Sequence, residues 1–389
     1  MAGPSRRPCV LSHTTLDRVA ELQRSSRDPD QLRRRLEVWL ETKLPPDAAP
    51  VIGSLEGTSA NGMSSETLLF DAEWTHDGAR CPRRLVARVA PDSADVPVFP
   101  SYDLDRQYRA IGLVAQLTTV PVPPVWWSEP DPDPLGAPFF VMGRIDGQVP
   151  PDVMPYNFGD SWLFDADPAD QRRLQDATVA VLAELHAIDD PQERFDFLTH
   201  NGPGDTPLRR RVGHTRAWYD FAAAGLGRRS PLIERGFAWL DAHWPADEGA
   251  TVACWGDSRI GNVMYRDFVP VAVLDWEMAA LAPRELDVAW LIYGHRIFED
   301  IAGSMDLPGM PEFLRPDDVA GTYESLTSHT PRDLEFFGTY AAIQYGIVFL
   351  RTGHRQVHFG EAGEPDDVDD LVMNREPLER MLAGTYWNW

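Results

Sequence analysis

The chain contains a single lysine, Lys43; every other strongly basic side chain is arginine. Any mechanism that needs a catalytic lysine elsewhere has no residue to supply it. Cysteine is nearly as scarce. Cys9, Cys81 and Cys254 are widely spaced and odd in number, which argues against a disulfide framework or a Cys-based zinc site and fits a reducing cytoplasm. No uninterrupted apolar run approaches the ~18–20 residues of a membrane helix. The opening MAGPSRRPCVLSHTT lacks an apolar h-region, so no signal peptide is expected. An excess of basic charge is also missing. With 60 acidic against 36 basic residues the net charge is −24, so neither nucleic acid nor an anionic membrane is an expected partner. The acidity mildly favours cationic partners, although a solvated surface that maintains solubility is the simpler account.

What is present suits a soluble globular protein. The 389 residues are enough for two packed units, and 43% are apolar and 25% charged. Residues 12–44 read as helical, with Leu32, Leu36, Trp39, Leu40 and Leu44 on one stripe, Asp30 as a cap and a Pro-Pro stop at 45–46. From residue 50 the pattern changes. SSETLLFDAEW and RRLVARVAP read as strands joined by the turn THDGARC, and GSLEGTSANGMSS before them reads as a loop. A helix is expected over 102–117, then extended segments at VPVPPVWW and APFFVMGRI. Beyond residue 144 the chain turns mainly helical. Asp167 and Pro168 open a helix carrying Leu174, Val181, Leu182, Leu185 and Ile188 on one face. SPLIERGFAWLDAHW and LEFFGTYAAIQYGIVFLRTGHRQ read as further helices.

The chemistry concentrates in residues 251–277. TVACW reads as a short strand, and VMYRD and VAVLDW as a hairpin across DFVP. Asp257 and Asn262 fall in the loop between the first two strands, and Asp275 closes the third. The hairpin should return Asp275 to the neighbourhood of Asn262, thirteen residues away in sequence. Asp and Asn are common turn residues, and a bare Asp-x4-Asn means little. Two carboxylates and an amide oxygen brought together mean more. Magnesium prefers hard oxygen ligands and is usually held by one or two such side chains plus substrate phosphates. Asn262 and Asp275 would serve that purpose, leaving Asp257 to accept a proton from an attacking hydroxyl.

WGDSRIGNVMY followed by VAVLDWEMAALAPRELDVAW resembles the aminoglycoside-phosphotransferase-like (choline-kinase-like) family. Within it, the sequence is most similar to the bacterial branch related to acyl-CoA dehydrogenase-associated phosphotransferases. The resemblance spans about residues 50–300. It implies an α+β, protein-kinase-like two-lobe fold: a helical extension (1–49), a small antiparallel-sheet nucleotide-binding lobe with one helix (50–143), and a larger, mainly helical lobe (144–389) with the catalytic loop, metal site and acceptor pocket. It implies Asp257 as catalytic base, Asn262 and Asp275 as magnesium ligands, and Asp287 as a brace for the loop. Trp255 occupies a position where the family usually has His, and is read as an altered brace whose indole N–H donates one bond. Ser59, Asn61 and Ser64 would lie in a loop covering the phosphates of ATP or another nucleoside triphosphate. Arg88 would replace the family's strand lysine, with Gln107, or Asp103 if the register shifts by a turn, as its partner. Val141, Met142 and Arg144 are candidates for the adenine-binding hinge. Glu277 could sit near metal or substrate, or be structural.

The implied activity is transfer of the γ-phosphoryl group to a hydroxyl of a small molecule, aminoglycoside-like or a hydroxyacyl metabolite. The alternative is a nucleotide-binding pseudokinase or regulatory module, fed by the departures at Trp255, Arg88 and Gln107. Three other features tempt. His354 and His358 lie four apart, but Arg355 stands where a zinc-peptidase helix has Glu. His186, Trp218 and Tyr219 read more simply as packed residues than as reactive ones.

Overall fold

The computed structural model describes residues 29–57, 65–91, 96–152, 155–200 and 202–387. The expected helix over 12–44 is described from Pro29, as α1 (Pro29–Lys43). Its apolar stripe is buried: Leu36 and Leu40 are fully enclosed, and the Trp39 ring stands 4.7 Å from that of Phe139. The lone lysine ends this helix and pairs with Glu129 at 2.9 Å.

Five strands follow: β1 (Val51–Gly57), β2 (Glu66–His76), β3 (Ala79–Val89), β4 (Val125–Glu129) and β5 (Phe139–Gly143). They form one antiparallel sheet in the order β1-β2-β3-β5-β4. Part of the stretch expected as a loop is thus strand, because Leu55–Gly57 pair with Leu68–Phe70. β2 and β3 are joined by Asp77-Gly78, both at positive φ (51° and 75°), the backbone that a two-residue hairpin of matching twist requires. Alternate β2 residues Leu68, Phe70, Ala72 and Trp74 are buried, the period of a half-buried strand. Between β3 and β4 lies α2 (Leu104–Leu117), capped by Asp103, whose side chain accepts from the Arg106 N–H at 2.9 Å.

The remainder is mainly helical. α3 (Pro168–His186), α4 (Pro207–Leu226), α5 (Pro231–Ala242), α6 (Glu285–Ser304), α7 (Pro316–Thr327), α8 (Leu334–His358) and α9 (Arg375–Leu382) surround two small antiparallel pairs. β6 (Thr251–Cys254) pairs with β9 (Ala280–Pro283), and β7 (Val263–Arg266) with β8 (Val269–Val273). Asp167 stands at the cap position of α3 without a side-chain capping bond. α8 packs against α5, α6 and α4 around Tyr340, Ile343 and Ile347, all nearly inaccessible. No helix among the described residues is long and apolar enough to cross a membrane.

Candidate active site

The strand pairs put the polar residues of 251–287 in one place. β6 ends at Cys254 and the chain turns through Trp255-Gly256-Asp257 into a short 3-10 turn at Ile260–Asn262, which leads straight into β7. Gly256 makes the first turn possible. Its φ is +89°, and a Cβ built there would lie 2.0 Å from the Met278 carbonyl oxygen. β8 stops at Val273, two residues short of Asp275, which is therefore not strand-borne as the sequence suggested. Asp275 takes a left-handed φ of +57°, a conformation tolerated by Asp and concentrated at functional sites. The Leu274 N–H donates to the Asn262 carbonyl at 2.8 Å, so the two halves of the hairpin are tied where the polar side chains emerge.

Asp287, on the first turn of α6, organises this loop. Its Oδ2 accepts the Trp255 backbone N–H and its Oδ1 the Gly256 N–H, each at 2.7 Å. His186 Nε2 lies 3.1 Å from Oδ2, and the His186 Nδ1 meets the Tyr323 hydroxyl at 2.8 Å. The Ser258 hydroxyl donates to the Asp287 carbonyl at 2.7 Å. The Trp255 indole N–H reaches the carbonyls of Leu274 and Asp275, at 2.8 and 3.2 Å. Trp255 is fully buried, so one side chain joins the loop to the Asp275 segment.

Asp257 is 9% exposed. Its Oδ1 accepts the Trp290 indole N–H at 2.7 Å, and Arg259 Nε stands 3.2 Å away. Arg259 is in turn held by Asp152. Burial pushes the Asp257 carboxyl above the usual carboxylate range and the nearby Asp275 adds to this, while Arg259 and Trp290 oppose it. The Asn262 amide N–H donates to the Asp257 carbonyl at 3.1 Å, which leaves its Oδ1 as the remaining acceptor.

Trp290, Arg259 and Asp152 were not picked out from sequence. Trp290 was legible in principle: it lies three residues after Asp287 on one helix, hence on the same face. Asp152 had no sequence signal, since it is contributed by a loop more than a hundred residues upstream.

The nucleotide-facing candidates divide. Arg88 lies on β3 and crosses to the large lobe, with Nη1 bonded to Thr67 at 2.8 Å and Nη2 3.3 Å from Asp275. Its partners are therefore not Gln107 or Asp103. Asp103 is occupied as the cap of α2, and Gln107 is buried one turn along that helix. Val141 and Met142 sit on β5, which pairs with β3 on one side and β4 on the other, so their backbone is engaged in the ladder. The Gly143 N–H donates to Pro124 and the Arg144 N–H to Arg84, at 2.8 and 2.9 Å. Ser59, Asn61 and Ser64 lie outside the described residues.

Among the described residues His354 and His358 belong to no trio with metal-ligand spacing. His354 meets Arg351 at 3.2 Å. Among the described residues, one buried trio has metal-ligand spacing: His186, Cys254 and Asp287. Asp287 is already committed to two backbone N–H groups, and burial pushes the Cys254 thiol well up, away from the thiolate a metal needs.

Residues 69–309 match the family model described as "Phosphotransferase enzyme family". Among curated proteins, the chain is 24% identical over 263 residues to the probable acyl-CoA dehydrogenase IBR3 of Arabidopsis thaliana. It is 27% identical over 253 residues to acyl-CoA dehydrogenase family member 10 of Mus musculus. These alignments take in 65% and 64% of this chain but only 30% and 22% of the relatives, so the chain spans less than a third of their length. Among solved structures, a putative aminoglycoside phosphotransferase from Ralstonia eutropha superposes with a TM-score of 0.62 at 20% identity, over 91% of this chain and 97% of that one. The GDP and kanamycin complex of an aminoglycoside 2″-phosphotransferase superposes with a TM-score of 0.54 at 15% identity, over 90% and 99%. The fold is the two-lobe, protein-kinase-like α+β fold.

Proposed function

The chain belongs to the phosphotransferase enzyme family, and on that premise we propose that it is an ATP-dependent kinase that moves the γ-phosphoryl group to a hydroxyl of a small molecule. The observation that carries the reading is the Asp257 carboxylate. It is buried, held by Trp290 and Arg259, and set in the same loop as Asn262, which is tied to the Asp275 segment. Asp257 accepts the proton of the attacking hydroxyl. Its raised carboxyl suits it as a base, and its two fixed donors orient it.

The donor set at Asn262 and Asp275 fits magnesium: two hard oxygens on backbone segments bonded to each other, with the Arg88 guanidinium already drawn to one of them. When bound there, the ion would neutralise charge on the transferred phosphoryl group. Arg88 binds phosphate oxygens through its fork of N–H donors, a task to which arginine is better matched than lysine. We place the adenine edge at the exit of β5 around Arg144, one residue beyond the strand that pairs Val141 and Met142 on both sides. Trp255 takes the brace position, since its indole spans from the loop to the Asp275 carbonyl.

For the acceptor we favour a hydroxyacyl metabolite over an aminoglycoside, on the ground that the curated relatives are named as acyl-CoA dehydrogenases. The test offers the protein ATP and magnesium with a panel of hydroxyacyl thioesters and amino sugars, and follows ADP release. Asp257→Ala is expected to lower turnover by about 10²–10⁴-fold with nucleotide binding retained. Equal turnover by the variant would remove Asp257 as base. Nucleotide binding without turnover of any acceptor would favour the regulatory-module reading.

A further inference from the structure

Beside the catalytic segment, and separate from Asp257 and Asp275, a second pocket is lined by α2, α4 and the chain after Asp275. α4 presents Arg211, His214, Thr215 and Trp218 to it, the i, i+3, i+4, i+7 spacing of one helical face. Trp218 is fixed by its indole bond to the Val98 carbonyl at 2.8 Å.

Arg211 is 4% exposed, and its guanidinium is under-used. Nη1 lies 3.1 Å from His200 Nε2, Nη2 is 3.5 Å from the Gln344 amide oxygen, and Nε is buried with no partner. Arg106, on the opposite wall, donates only to the backbone carbonyls of Leu198 and Ala279. Among the described residues neither guanidinium has a carboxylate partner.

The histidines add donors without adding charge. Arginine can only donate, so His200 Nε2 must accept and its ring proton sits on Nδ1. His214 stacks on His200 with ring centres 4.0 Å apart. Burial and the two arginines pull the His214 imidazole down to about 4 and keep His200 neutral as well. Two carboxylates also line the pocket. Asp103 is exposed and occupied as the α2 cap and acts on Arg106 only through space, and the Glu277 charge acts on Tyr102, so Arg211 is the buried cation left without a paired carboxylate.

A buried cation without an opposite charge is expensive, and a buried donor without an acceptor calls for an absent partner. We propose that this pocket binds an oxyanion, a carboxylate or phosphate group, gripped by Arg211 and Arg106 with His200 and His214 as neutral walls. The planar fork of arginine matches either group through paired N–H···O bonds. The anion comes either from a substituent of the acceptor, which rests on the kinase reading above, or from a free effector.

Calorimetry of the full chain with inorganic phosphate, with the nucleotide cleft saturated by ADP, tests the site without any turnover. Binding of one phosphate is expected, weakened at least about tenfold in Arg211→Gln and in Arg106→Gln, a loss of ~1.4 kcal/mol or more. Arg84→Gln, at an exposed arginine paired with Asp146 and outside the pocket, should bind phosphate as wild type does. Near-ultraviolet circular dichroism checks that both arginine variants keep the native packing. Absence of binding, equal binding by both folded arginine variants, or loss in Arg84→Gln would overturn the proposal. Phosphate that competes with a hydroxyacid acceptor in turnover assays identifies an acceptor substituent. Phosphate that binds but leaves the acceptor KM unchanged identifies a free effector.

Discussion

Two clusters of buried polar groups are built on opposite plans. Around Asp287 the acceptors are satisfied: both carboxylate oxygens take backbone N–H groups at 2.7 Å, one is also 3.1 Å from His186, and that ring is bonded in turn to Tyr323. Around Arg211 the donors outnumber the acceptors, and one buried N–H has none. A fully satisfied network in a low-dielectric interior rigidifies what it touches. An unsatisfied one stores a preference for something absent. The first plan suits a loop that must hold one shape, and the second suits a place that receives a ligand.

That contrast can be broken by three substitutions. Asp287→Ala should have the largest effect, because it strands the N–H groups of Trp255 and Gly256 and removes the anion beside His186. A loss of about 3–5 kcal/mol is expected, the range for breaking a buried pair, read as a lower denaturant midpoint. An unchanged midpoint would mean that the loop is held by other groups. Trp290→Phe keeps a ring in place and removes one bond to the ionised Asp257, so kcat should fall roughly ten- to hundredfold, the equivalent of ~1.5–3 kcal/mol.

The pH profile of Trp290→Phe sharpens the test. If Asp257 is the base, it works as a carboxylate, and activity should be lost as pH falls through its pKa. Trp290 lowers that pKa, so its removal should move the acidic limb of the rate profile to higher pH. A fall in kcat without that movement would mean that the indole does not act on the carboxylate. Arg211→Met should have the smallest effect. Replacing an uncompensated buried charge by an apolar side chain of similar length is expected to cost less than about 1 kcal/mol, or to stabilise the protein. A loss as large as that of Asp287→Ala would show that Arg211 is a brace and remove the contrast.

How much of this could be read from residues depended on how local the interaction is. The α1 stripe, the Asp-Gly hairpin and the α2 helix follow from periodicity and turn chemistry within a few residues. The grouping of Asp257, Asn262 and Asp275 was legible because one hairpin returns the chain on itself. The extent of β8 was not, since pairing with β7 ends before the apolar run does. Gln107 was misread as a partner of Arg88 because strand-to-helix register cannot be counted along the sequence. Trp290 approaches Asp257 from a helix thirty-three residues on, and Arg106 shares a pocket with Arg211 and His200 only because distant parts of the chain both reach it.

Gly256 joins the two clusters. The Met278 carbonyl that occupies the space of its missing side chain belongs to a residue that also lines the arginine pocket. Backbone lies directly against backbone there, with no side chain to yield. Position 256 is therefore closed to every other residue while Met278 stays in place, and the turn that carries Asp257 and the pocket wall cannot diverge independently under mutation. A redesign of either one has to begin by leaving that contact alone.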